Sequence, residues 1–330
     1  MPVYNSAKFL SLAIESILHQ SFSEFEFLIF DDGSTDSSVD IIKSYISDNR
    51  IKLFSYPENQ GYIARLNEGI RIAKGKYIAR MDADDISCLD RFKKQVELLE
   101  SFPEVGLCGT WYQMIDGGTT VVEISANHDD LKIELILNST FGHPCVMMRT
   151  SVLRDHGLFY DESFMPAEDF RLWVQLSKIT QLRNIPEVLL KYRVHSGQIS
   201  SYKRKLQVEK IQSIRAFQIC ELLARKLNNS ELEMIQLLFG DEDIIPSGPL
   251  VPNKTFHWAY GLAQENRIRR IYSISKFEDF IIARVTRLAH LVVYNRTLLF
   301  SSAPKLLLKG SPPIVKLKFY IKCLLNWSLS

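Results

Sequence analysis

The sequence predicts an α/β domain followed by a helical region, and three observations carry that prediction. Over the first two-thirds of the chain, short apolar runs alternate with amphipathic helical periods. Two acidic clusters, Asp31 to Asp36 and Asp82 to Asp85, each follow directly on an apolar run. Past residue 200 the strand-like runs stop and helical periods remain.

In order, Asn5 is placed to cap a helix whose apolar positions Phe9, Leu10, Ala13, Ile14, Ile17 and Leu18 recur at three and four. Residues 25–30 read as a buried strand running into Asp31-Asp32-Gly33-Ser34-Thr35-Asp36, and Val39, Ile42, Tyr45 and Ile46 mark the next helix. A strand at 51–55 turns through Asn59-Gln60-Gly61 into a helix carrying Ile63, Leu66, Ile70 and Ala73. Residues 77–81 form a strand that runs into Asp82-Ala83-Asp84-Asp85, with a helix over 92–102. A hairpin follows, 105–115 with 119–124, across Asp116-Gly117-Gly118. A short strand at 146–149 and a helix at 168–176 complete the α/β part. Helices are then expected at 203–227, 231–239, 256–269 and 277–300, with a Pro- and Gly-rich linker at 244–252. The resulting division is a domain at 1–202, a helical extension and linker at 203–252, and a basic amphipathic helical tail at 253–330.

A chain of 330 residues suits two domains, or one with an appendage. At 46% hydrophobic and 24% charged it is an ordinary globular composition, which excludes disordered, collagen-like and coiled-coil classes. A net charge of +2 is too small for a general nucleic-acid binder, so no nucleic acid is expected as partner. That average conceals an asymmetry. Residues 276–330 hold nine basic and two acidic side chains, which leaves the first 275 residues at −5. Five scattered cysteines without a CxxC pair point to a reducing compartment rather than to disulfides or zinc. With no signal-peptide pattern and no run of eighteen apolar residues, a cytoplasmic location is expected.

In open α/β sheets, ligands bind beyond the carboxyl ends of the strands, where both acidic clusters fall. Asp31 to Asp36 reads equally well as the cap of the next helix. In Asp82-Ala83-Asp84-Asp85, three carboxylates within four residues repel one another unless a divalent cation or open solvent relieves them. Magnesium and manganese suit such a site, taking one or two carboxylates and completing their shell with phosphate oxygens and water. No EF-hand fits, since Ser87 and Lys93 stand where Gly and Glu are required, and no P-loop is present.

Met1-Pro2-Val3-Tyr4-Asn5, the Asp31 to Asp36 cluster, Asn59-Gln60-Gly61 and Arg80-Met81-Asp82-Ala83-Asp84-Asp85 stand in an order that resembles the family-two glycosyltransferases of the GT-A fold, bacterial type. Glu168-Asp169 and Tyr192-Arg193-Val194-His195 resemble that family's ED and Y-R-x-H elements, so the likeness spans about 200 residues. It implies a mixed central sheet and an inverting transfer of sugar from a nucleoside diphosphate, UDP above all, to a glycan or lipid-linked acceptor. Pro2, Val3 and Tyr4 match the segment that packs on the base, and Asp32 matches the aspartate that reads the uracil edge. Asp82 matches the first aspartate of the DxD element, near the ribose. Asp84 matches the aspartate that binds Mn2+ or Mg2+ on the diphosphate, and His195 a further metal or diphosphate contact. Asp169 matches the catalytic base, with Glu168 beside it to position sugar or acceptor. Arg80 could pair with the carboxylates or with diphosphate, and both remain open. His143-Pro144, after a flexible Asn138-Ser139-Thr140 stretch, reads as a turn or as a lining of the acceptor side, and Trp173 as core.

The family begins with an apolar strand just ahead of the Pro2-Val3-Tyr4-Asn5 segment. Here the numbering starts at Met1, and a start codon assigned too far downstream is the expected reason. Without that strand its two neighbours would stand about 9.6 Å apart, each with an unpaired edge. The basic tail reads as a helical subdomain packed with its charged face in water, or as a peripheral attachment to an anionic membrane through 276–330, on the inner face. Two rivals stand beside the transferase reading: a phosphatase of the haloacid dehalogenase type, which also places Asp-x-Asp after a strand, and a catalytically silent truncated relative.

Overall fold

The computed structural model describes residues 1–195, 203–240 and 252–291. The chain forms two compact units, Met1–Lys210 and Ile211–Ser330.

In the first unit, β1 (Pro2–Val3), β2 (Phe27–Asp32) and β3 (Ile51–Tyr56) make a parallel three-stranded sheet in the order β1-β2-β3. Its helices are α1 (Ala7–Leu18), α2 (Ser38–Ser44) and α3 (Tyr62–Ile72). Leu10, Ala13, Ile14 and Ile17 of α1 are buried at the predicted spacing. The predicted cap is corrected. Asn5 sits at positive φ and its side chain accepts the Thr35 N–H at 2.8 Å. Asp36, 29 residues further along the chain, instead accepts the first N–H of α1, that of Ala7, at 3.1 Å. The acidic loop thus caps one helix from the end of another strand.

The second sheet is mixed. It runs β4 (Tyr77–Ala79), β8 (Met147–Arg149), β6 (Val105–Ile115), β9 (Gln181–Arg193) and β5 (Ile86–Ser87), with β7 (Val121–Val122) paired to β6 in the expected hairpin. Pairing is antiparallel except for β6 with β9. The helices α4 (Arg91–Ser101), α5 (His128–Glu134), α6 (Thr150–Asp155) and α7 (Glu168–Leu176) complete the unit. Of these, α5 and α6 have no counterpart in the sequence reading, nor does β9 over most of its length.

The two sheets are not hydrogen-bonded to each other. Between β2 and β4 lies an apolar cavity of about 310 Å³, lined among others by Phe27, Leu28, Ile78, Ala79, Phe92 and Met147. At its end sits the amino terminus of Met1, which donates to the Leu28 carbonyl at 2.9 Å, while the Met1 carbonyl accepts the Phe30 N–H. This is the parallel ladder of β1 and β2 carried one step back. Burial, with Arg80 nearby, pushes the Met1 ammonium down to about 5. The β2 edge on this side is thus paired as far back as Met1, and β2 and β4 are not hydrogen-bonded to each other.

An apolar strand of four or five residues added ahead of Met1 is expected to fill this slot. Each large apolar side chain buried contributes about 1.5–3 kcal/mol, against about 1–2 kcal/mol per residue for ordering the backbone. A net gain of a few kcal/mol raises the melting temperature of a domain this size by about 2–4 °C per kcal/mol. A Gly/Ser extension of equal length should leave it unchanged. Equal melting curves for the two extensions would show that the slot does not take a strand.

The second unit is helical where described: most of α8 (Arg204–Leu223), then α9 (Asn229–Phe239), α10 (Pro252–Arg269) and α11 (Ile274–Leu291). Asn228 and Glu231 form a capping box at the start of α9. Phe277, Ile281, Val285 and Leu288 of α11 are buried, and Phe280 stacks on Phe239. Two arginines of the basic tail are engaged at the far end of α9. Arg284 donates to the Leu238 carbonyl at 2.6 Å and Arg287 to the Gly240 carbonyl at 2.8 Å, where a helix presents unsatisfied carbonyls and negative dipole. This start of the tail thus packs against α9. Of the other basic residues singled out for a membrane, Lys276 lies in α11, while Arg296 to Lys322 lie outside the described residues, as does the 244–252 linker apart from Pro252, which opens α10. Among the described residues, no helix is long and apolar enough to cross a membrane.

Candidate active site

The site is built at the carboxyl ends of β2 and β4 and at the amino end of α7. Gly33 leaves β2 with φ +79°, and a Cβ there would meet the backbone of Glu58 and Asn59 at 3.0 Å. The loops after β2 and β3 consequently press together. Asp32 is 2% exposed. Its carboxylate accepts the N–H groups of Gln60 and Gly61 at 3.1 and 2.8 Å, and Arg65 Nε at 2.6 Å. The Arg65 guanidinium also lies over the Tyr56 ring, 3.5 Å from its centroid. Asp32 therefore anchors the amino end of α3, a positive pole. In the adjoining β1 segment Pro2 is half-buried, Val3 is a core residue, and Tyr4 is 50% exposed.

The carboxylates after β4 are brought together: ligand oxygens of Asp82, Asp84 and Asp85 lie within 4.8 Å of one another. Each has a different neighbour. Arg80, buried, pairs with Asp82. Asp85 accepts the Arg193 N–H at 2.8 Å. Asp84 faces His195, whose Nε2 is 2.8 Å from Oδ2. His195 is set there by β9, and its ring packs against Phe9 of α1 at 5.4 Å. Burial raises the Asp82 carboxyl in spite of Arg80, and raises Asp85 well above the usual range, with Asp82 and Asp84 adding to it. Three crowded carboxylates with an imidazole at their edge form an oxygen-and-nitrogen donor set suited to Mn2+ or Mg2+.

Glu168 and Asp169 open α7, where the helix dipole favours negative charge. Asp169 accepts the Ser139 hydroxyl at 3.3 Å and the N–H of Phe170 at 2.6 Å. Glu168, 4% exposed, accepts the Tyr62 hydroxyl at 2.8 Å through Oε1, while Oε2 is buried without a protein partner. Burial raises Asp169, and burial together with Asp169 pushes Glu168 up to about 7. Behind them stands an aromatic wall. His143 Nε2 lies 2.9 Å from the Tyr160 hydroxyl, and both rings pack edge-on to the fully buried Trp173. Burial holds His143 well below its ordinary value, hence neutral.

Arg80 joins the two halves electrostatically. It stabilises the ionised forms of Asp82 and Asp85 on one side and of Glu168 and Asp169 on the other. Of the two partners open to Arg80, the carboxylate is the one present here, on Asp82. Tyr62 and Arg65 have no local signal in the sequence, since their partners lie 106 and 33 residues away, and Ser139, visible there only as part of a flexible stretch, reaches Asp169 across 30. Arg193, noted only as part of a motif, holds the Asp85 carboxylate through its backbone N–H and the Asp84 backbone carbonyl through its Nε, and also pairs with Asp116.

Residues 1–157 match the family described as Glycosyl transferase family 2. An uncharacterized glycosyltransferase of Haemophilus influenzae is 31% identical over 224 residues, covering 64% of this chain and 69% of the relative. Among solved structures, S. aureus TarS in complex with UDP-GlcNAc has a TM-score of 0.56 at 18% identity, over 99% of this chain and 87% of that one. A mannosyltransferase of Pyrobaculum calidifontis, PcManGT, in complex with GDP-Man and Mn2+, has a TM-score of 0.55 at 15% identity, over 100% and 86%. Fold and site define a GT-A type glycosyltransferase. The chain belongs to glycosyltransferase family 2, and the phosphatase alternative falls away.

Proposed function

We propose that this protein is a metal-dependent, inverting transferase of hexosyl groups from a UDP-sugar to a hydroxyl of a glycan or lipid-linked acceptor. The observation that carries this reading is the arrangement around Arg80, with a cation-suited carboxylate cluster on one side and the Glu168–Asp169 pair on the other.

Asp84 and His195 would hold the divalent ion, with Asp82 on the ribose side. The ion would supply Lewis-acid stabilisation of the charge that develops on the departing diphosphate. Asp169 takes the proton of the acceptor hydroxyl as the acceptor oxygen bonds to the anomeric carbon and the carbon–oxygen bond to phosphate breaks. The bonding pair leaves with the diphosphate, and attack opposite the leaving group inverts the carbon. Burial strengthens Asp169 as a base by raising its pKa. Asp32 keeps the nucleotide side rigid through α3 and reads the base edge with the one lone pair left on Oδ2. Tyr4 offers an exposed ring beside it, carried by the Pro2–Val3 strand. Of the nucleotides bound by the two similar structures, UDP is favoured here by the match at Asp32 and at Pro2 to Tyr4.

A panel of UDP- and GDP-sugars with and without Mn2+ tests the proposal. A UDP-sugar should raise the melting temperature in a Mn2+-dependent way and release UDP on incubation. A shift with GDP-mannose alone would overturn the choice of uridine. Binding without release, with every acceptor class offered, would favour a catalytically silent relative.

A further inference from the structure

We propose that Tyr62 is a positioning residue of the transfer site, holding Glu168 by one oxygen so that the other is left for a substrate hydroxyl. The proposal rests on the transferase reading for its consequence, but not for its geometry. Tyr62 is the first residue of α3, and the preceding N–H groups of Gly61 and Gln60 are fixed on Asp32. Arg65, one turn further on, is fixed on the same carboxylate. The Tyr62 hydroxyl therefore projects from a rigid helix start and donates to Glu168 Oε1 at 2.8 Å, across 106 residues of chain.

A glutamate side chain turns about three bonds, and immobilising it costs rotamer entropy. Tyr62 supplies that restraint in advance, which is the structural basis of preorganisation. The second oxygen, Oε2, is buried without a protein partner. Leaving a charged acceptor buried and unsatisfied is costly, and a sugar or acceptor hydroxyl arriving beside Asp169 relieves that cost. Burial and Glu168 together raise the Tyr62 phenol far above neutrality, so it stays a donor throughout the working range.

The charged and titratable groups that bear on Glu168 are Asp169 on its own helix, Arg80 after β4, Tyr62 on α3, and Tyr160. Asp169 raises the Glu168 pKa, whereas Tyr62 and Arg80 lower it. Removing the Tyr62 hydroxyl removes a lowering contribution, so Glu168 must take up its proton at higher pH.

The test is Tyr62→Phe, which keeps the ring. In protein labelled with carboxyl-13C glutamate, the Glu168 signal is the one that disappears in Glu168→Gln. Its titration midpoint is expected to move up by about one pH unit in Tyr62→Phe, as loss of a hydrogen bond of about 1.5 kcal/mol to a charged group requires. With a UDP-sugar, kcat at pH 7 should fall about tenfold with donor KM nearly unchanged. Part of the loss should return at pH 9, and Tyr62→Phe should add nothing to Glu168→Gln. An unmoved midpoint in a folded Tyr62→Phe protein would overturn the proposal. So would a Tyr62→Phe effect that adds fully to that of Glu168→Gln. Failure of the wild-type chain to turn over any nucleotide sugar would count against the transferase reading instead, and the NMR titration would still decide the role of Tyr62.

Discussion

Asp169→Asn is expected to lower the rate of transfer by about 10²–10⁴-fold, the usual worth of a positioned general base, while leaving binding of the nucleotide sugar intact. The substitution preserves size and keeps an oxygen for the Ser139 hydroxyl, so the fold around α7 should survive. It removes one negative charge from the start of α7, a cost of about 0.3–1 kcal/mol. It also relieves the repulsion with Glu168. Because the Asp169 carboxyl is raised in the folded chain, its ionised form opposes folding above that raised pKa and does not once both states are protonated. The melting temperature of Asp169→Asn should therefore exceed that of the wild type at pH 8 and lose the advantage as the pH falls. In steady-state assays the loss should lie in kcat, with the Mn2+- and UDP-sugar-dependent thermal shift unchanged. Normal turnover in a well-folded Asp169→Asn protein would transfer the role of base elsewhere.

What the sequence made legible here was local. The apolar runs feeding Asp31 and Asp82 became β2 and β4, because an apolar strand and a polar strand end are written in adjacent residues. The helix opening at Glu168 was readable for the same reason. Strand β9 was not. Its segment QLRNIPEVLLKYR carries Pro186 and Glu187 at the middle, which argue against a strand. The register shows how it is accommodated. Ile185 pairs with Thr110 and Val188 with Trp111, so Pro186 and Glu187 bulge out of the ladder where no N–H is needed. That strand carries Arg193 and His195 to the acidic cluster, so half the geometry of the site hung on an element the local pattern concealed. The cap of α1 by Asp36 and the Tyr62–Glu168 hydrogen bond are hidden in another way. Each is a contact between residues far apart in the chain, and single-residue propensities contain no trace of it. The site residues were thus recognisable by type, while what holds each in place was not.

The same distinction decides which of three aspartates should matter for metal. Asp84→Ala is expected to abolish the Mn2+-dependent part of nucleotide binding while sparing the fold. Asp82 is already paired with Arg80, and Asp85 is committed to the backbone of Arg193. Asp84 has the one titratable partner that is itself a metal ligand by type, His195, and its side chain keeps 25% of its exposure. Removing it takes a carboxylate from the cation and no strut from the protein. The thermal shift given by UDP-sugar with Mn2+ should collapse to the metal-free shift, and turnover should fall with it. The melting temperature without ligand should stay within about 2 °C, as expected of a partly exposed polar substitution worth less than about 0.5 kcal/mol. Asp85→Ala should behave oppositely. It deprives a buried N–H of its acceptor, so the free protein itself should melt lower. His195→Ala, which removes an imidazole and leaves the Asp84 carboxylate in place, should weaken the Mn2+ effect less than Asp84→Ala does. A Mn2+-dependent shift that survives in Asp84→Ala but vanishes in Asp82→Ala would reassign the ion to the neighbouring carboxylate. It would also leave Arg80 to be displaced from Asp82 whenever metal binds.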